Sequence, residues 1–137
     1  MSDIDDVQSP AAGFAADAEL RAREILDKMG ELQRRQAELH AQYSTIQELD
    51  PKSAQLDALS RLIDESGRVV GALARQRTEL LDGMPIIVDA RGRMCVVAEK
   101  LAKDANLVER VKGRLQKAAK AIATAEQLLV RVTALLA

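Results

Sequence analysis

Two heptad runs mirrored about Pro51 constrain this chain more than any other feature of it. The first runs Ala18, Ala22, Ile25, Met29, Leu32, Gln36, Leu39, Tyr43, Ile46, in unbroken steps of four and three. That spacing is the a/d seam of a helix packed along a partner. Leu49-Asp50-Pro51 interrupts it, because the residue before a proline avoids the α region and proline suits only the first turn of a new helix. The second seam runs Leu56, Leu59, Ile63, Ser66, Val70, Leu73, Arg77, Leu80, Met84. Folding the chain at residue 51 sets Ile46 against Leu56, Leu39 against Ile63 and Ala18 against Met84, an a position meeting a d position in every layer. Two unrelated amphipathic helices would seldom match layer for layer. Residues 18–84 therefore predict an antiparallel coiled-coil hairpin, with helices over about 14–49 and 53–82.

Two layers of this seam are not apolar. Gln36 falls opposite Ser66, a pair suited to pinning the register, since a slipped alignment would leave it unsatisfied. Arg77 falls opposite Ile25 and is expected to snorkel outward towards Glu24 or Glu79.

The second helix carries Leu62 and Val69 beside its seam, so its apolar stripe is wider than one partner covers. Gly83-Met84-Pro85 supplies a helix stop and a new start. A third heptad pattern then runs from Ile87 to Leu136 with Asp104 as its one polar member. The expected fold is all-α: the hairpin packed with a long, straight or kinked third helix over about 86–136. That makes a three-helix bundle, or a four-helix one if the chain breaks near residue 104, with Asn106 as N-cap and Glu109 reaching back. The unbroken heptad phase favours continuity. Ile86-Ile87-Val88 and Met94-Cys95-Val96-Val97, on either side of Arg91-Gly92-Arg93, also fit a β-hairpin.

Length carries the next expectation. Each hairpin arm would span ~48 Å and a continuous third helix ~75 Å, at 1.5 Å per residue. The overhang would expose Leu128, Leu129, Val132, Leu135 and Leu136, an apolar face that asks for a second copy of the chain.

Composition narrows the chemistry. Phe14 and Tyr43 are the only Phe, Tyr or Trp residues in the 137, which removes stacking platforms for single-stranded nucleic acid or flat cofactors. The single cysteine, Cys95, has no partner for an internal disulfide. Residues 1–12 are acidic and small, and read as a disordered tail before one domain over 13–137. No basic region followed by an apolar one opens the chain, and no apolar run reaches the ~20 residues of a membrane span. The expectation is a cytoplasmic protein, with signal-less export as the exception.

Catalysis needs convergent polar groups, and the usual signatures are missing. His40, the only histidine, flanks the first seam, and no Cys-x-x-Cys, phosphate-binding glycine loop or nucleophile elbow occurs. No cofactor, metal or small-molecule substrate is expected. The strongest functional pattern is basic: Lys103, Arg110, Lys117 and Arg131 recur at multiples of seven, with Arg93, Lys100 and Arg114 on the adjoining position. Such a stripe suits a nucleic-acid backbone or an anionic membrane, or simply solvent and a neighbour's acids. The acidic hairpin tip, Glu48, Asp50 and Asp57, is a lesser candidate probe of a partner. The sequence points to a non-enzymatic helical interaction or assembly module that forms a homodimer or larger oligomer through its third helix and binds another protein. A regulator binding nucleic acid or an anionic surface is the alternative, and an exported or chaperone-type helical protein comes third.

Overall fold

The computed structural model describes residues 10–137. Its elements are α1 (Pro10–Leu49), α2 (Gln55–Leu81), β1 (Ile86–Val88), β2 (Met94–Val96), α3 (Ala98–Leu101) and α4 (Ala105–Leu136). Four helices pack into an all-α bundle that carries one small β-hairpin.

α1 and α2 form the antiparallel hairpin, and every position of the two seams is buried or half-buried. Ile25, Leu32 and Leu39 of α1, with Leu59, Leu73 and Leu80 of α2, are at most 1 % exposed. The register shows at the polar layer. Gln36 Nε2 donates across the seam to the Ile63 carbonyl at 3.1 Å, while the buried Ser66 Oγ donates to Leu62 O of its own helix at 2.7 Å. The two side chains do not bond each other; main-chain carbonyls satisfy both.

α1 starts at Pro10, earlier than the expected residue 14, with proline in the first turn where its missing N–H costs nothing. Ala11 and Ala15 are buried, so this added length carries core. The tail boundary at residue 12 is corrected accordingly, and the rest of the expected tail lies outside the described residues.

The continuous third helix is also corrected. After α2, Met84 N–H donates to Leu81 O around Asp82 (φ −60°, ψ 124°) and Gly83 (φ 71°). That is a type II turn, which requires the left-handed region at its third residue. It sends the chain into β1 and β2, paired antiparallel as Ile86 with Val96, Ile87 with Cys95 and Val88 with Met94. Their connection closes with Gly92 N–H donating to Asp89 O at 3.0 Å and Gly92 at φ 78°. Asp89 Oδ1 accepts from the N–H groups of Arg91 and Arg93, both at 2.9 Å. β-branched residues around this turn chemistry outweigh a heptad phase sustained only by coincidence.

The second break comes before α4. Asp104, not Asn106, is the N-cap: its Oδ1 accepts from Leu107 N–H at 3.0 Å. The heptad pattern's one polar member was the helix start.

α4 runs parallel to α1 and antiparallel to α2. The Lys112 ammonium sits 5.8 Å from the Phe14 ring centre and Lys28 meets Glu126 at 3.9 Å, the same offset along both helices. Against α2, Arg114 pairs with Asp82 and Arg131 with Glu65, numbers falling in one helix as they rise in the other. With 32 residues α4 spans ~48 Å, longer than the 27-residue α2 and shorter than the 40-residue α1, along which it lies. Leu62 and Val69 join the same apolar core as α4.

Candidate interaction surface

The β-hairpin hangs beside the end of the bundle where α2 stops and α1 begins. β2 packs against α1, and Val96 is buried. The Val96 N–H donates to Glu19 Oε1 of α1 at 2.6 Å. A side chain from the bundle thereby caps the outward N–H of Val96 on the free edge of β2.

β1 has no such cover. Val97 N–H donates to Pro85 O at 2.7 Å and Asp89 N–H to Arg93 O at 2.9 Å, so Pro85 and Asp89 direct their ladder bonds inward, to β2. Antiparallel pairs alternate, which makes Ile86–Val96 and Val88–Met94 the pairs whose main-chain groups point away from each other. Val96 confirms the phase by bonding outward to Glu19. The N–H and C=O groups of Ile86 and Val88 therefore line the open edge. The side chains above that edge are apolar and open to solvent: Ile86 is 38 % exposed, Ile87 53 % and Val88 68 %. An edge strand of three β-branched residues is a template for strand addition.

The other sequence candidates fall differently. Leu128 is 1 % exposed, Leu129 9 % and Val132 0 %, and Leu135 and Leu136 are half-buried against the same core. The expected oligomer face is thus interior to one chain, because the hairpin and α3 absorb the residues that would have made α4 overhang. The seven-residue basic stripe is divided as well. Its phase assumed one helix, whereas Arg93 lies next to the hairpin turn, Lys100 on α3 and Lys103 between α3 and α4. On α4, Arg114 donates to Asp82 O at 2.6 Å and Arg131 pairs with Glu65. Arg110 and Lys117 remain exposed. Gln36 and Ser66 sit inside the helical hairpin as described, and His40 is exposed.

Sequence reasoning favoured helix over the strand that makes this surface, although Ile86-Ile87-Val88 before Asp89-Ala90-Arg91-Gly92 is the signal that reveals it. Among the described residues, no helix is long and apolar enough to cross a membrane. No family model matches the chain, and no curated protein or solved structure matches it significantly.

Proposed function

We propose that this chain is a non-enzymatic helical interaction module that self-associates through strand β1. The observation that carries the proposal is the exposed edge of Ile86, Ile87 and Val88, whereas β2 packs on α1 and gives its outward Val96 N–H to Glu19. Two copies would pair antiparallel with Ile87 on the two-fold axis, as an isologous interface requires. Ile86 of one copy then exchanges main-chain hydrogen bonds with Val88 of the other. A strand this short buries little area, so the dimer is weak and concentration-dependent. Binding to nucleic acid or an anionic surface has less support, since Arg114 and Arg131 are engaged within the chain.

Sedimentation of the wild type and of Val88→Pro tests the proposal. The Val88 N–H points outward, so proline removes an intermolecular donor and leaves the β1–β2 ladder intact. The wild type should dimerise at concentrations up to about 0.1 mM, corresponding to a Kd in or below that range. The variant should stay monomeric with unchanged helical circular dichroism. A wild type that remains monomeric, or a variant that dimerises equally well, overturns the proposal.

A further inference from the structure

A second feature lies on the opposite side of the β-hairpin, between α1, α2 and β2. Glu19, Ala22, Arg23 and Leu26 of α1, Arg77 of α2, and Arg93 and Met94 of the hairpin enclose a cleft of about 140 Å³. Three arginines from three separate elements share this lining with the apolar side chains of Ala22, Leu26 and Met94.

The charges at this cleft are poorly compensated. Arg93 Nε reaches Asp89 Oδ2 at 3.3 Å. Glu19, the one acid in the wall, already accepts from Val96 N–H. Of the two acids expected to receive Arg77, Glu24 is paired instead with Arg21 at 3.0 Å, and Glu79 makes no ion pair with Arg77 among the described residues. Among the described residues neither Arg23 nor Arg77 has a carboxylate within ion-pairing distance, and the buried Arg77 Nε has no hydrogen-bond partner at all. Arginines without a counter-ion in the wall of a cleft make a place for an oxyanion, which charge-assisted hydrogen bonds would hold. Arginine's planar fork suits a carboxylate.

We infer that this cleft is a binding site for a small carboxylate with a short alkyl chain, its carboxylate on Arg77 and Arg23 and its chain on Leu26 and Met94. A dry cavity of similar volume holds a benzene-sized ligand, roughly six non-hydrogen atoms, which is the size of n-butyrate. Phosphate would satisfy the arginines but leave the apolar floor unused. The carboxylate contacts assigned to Arg77 and Arg23 do not involve the β1 edge, so the inference stands whether or not the chain dimerises.

Titration of the full chain at low salt, followed by calorimetry and by amide shifts in NMR, tests the inference. The probes are sodium n-butyrate, its neutral isostere butyramide, acetate and inorganic phosphate. Butyrate should bind with shifts confined to residues around 19–26, 77 and 93–94. Butyramide should bind at least about tenfold more weakly, a difference of 1.4 kcal/mol. Arg77→Met should weaken butyrate by a similar factor with unchanged circular dichroism, and Arg23→Gln provides a second variant on an exposed position should Arg77→Met unfold. Failure of butyrate to bind, equal binding of butyramide, phosphate binding tighter than butyrate, or indifference to both substitutions overturns the inference.

Discussion

Glu19 and Val96 lie 77 residues apart, and the carboxylate of one accepts the main-chain N–H of the other at 2.6 Å. This bond ties the β-hairpin to α1 and decides which strand of the hairpin is open. Glu19→Ala leaves the partly buried Val96 N–H without its partner, which costs about 1–3 kcal/mol. The loss should be local: Val96 and its neighbours should exchange amide hydrogens faster while the centre of α1 and α2 stays protected. Unchanged protection at Val96 would show that the contact does not hold the hairpin.

Two glycines should respond in opposite directions to alanine. Gly92 sits at φ 78°, where a Cβ costs roughly 1–2 kcal/mol. Gly113 lies inside α4 with nothing within 4 Å of an added Cβ. Gly113→Ala should therefore stabilise the chain by roughly 0.5–1 kcal/mol, through helix propensity alone. Urea midpoints at constant slope measure both, and a stabilised Gly92→Ala would contradict the turn geometry.

Asp104→Ala removes the side chain that caps Leu107 N–H, at a cost of about 0.5–2 kcal/mol. Asp104→Ser should recover most of the loss because serine caps comparably. Thermal unfolding of the three proteins separates a cap from a charge effect.

The helical hairpin was legible from its sequence because the mirrored seams are redundant: each layer repeats the evidence of the last. The stretch after it was not, because the heptad count from Ile87 to Leu136 survives a hairpin, a short helix and a cap. Periodicity records spacing along the chain and is blind to a change of direction that preserves it. Asp104 was the visible exception, and a polar residue on an apolar stripe was the sign of a helix start. Ile86, Ile87 and Val88 were read as helix since three residues are too few to show a period of two. The arginine cleft needed the tertiary fold to bring Arg23, Arg77 and Arg93 together.

The turn of the β-hairpin should be acid-sensitive. The Arg93 main-chain N–H holds the Asp89 carboxyl below its ordinary value; desolvation opposes it, and the Arg91 N–H and the Arg93 guanidinium add to the lowering. A folded-state value below the unfolded one means that ionised Asp89 stabilises the turn above the ordinary carboxylate range. That contribution disappears as pH falls through the depressed folded-state value. The carboxyl carbon of Asp89 should titrate below the ordinary aspartate value, with the Arg93 amide shift following the same curve. A midpoint at or above that ordinary value would show that the turn does not depend on the ionised carboxylate.

Leu128 separates the folded arrangement from one in which α4 displays an apolar face. Leu128 is 1 % exposed within a single chain and belongs to the core that joins α4 to the other helices. Truncating a buried leucine costs about 2–5 kcal/mol. Leu128→Ala should therefore lower the unfolding midpoint by the same amount at every protein concentration, because the cavity opens inside one copy. The dimer proposed through β1 should still form wherever the variant remains folded, since Ile86 and Val88 lie on a different element. Sedimentation and denaturation of Leu128→Ala beside Val88→Pro thus distinguish the two surfaces. The first variant loses stability and keeps association, and the second loses association and keeps stability. A Leu128→Ala protein of wild-type stability that fails to associate would place the interface on α4 instead.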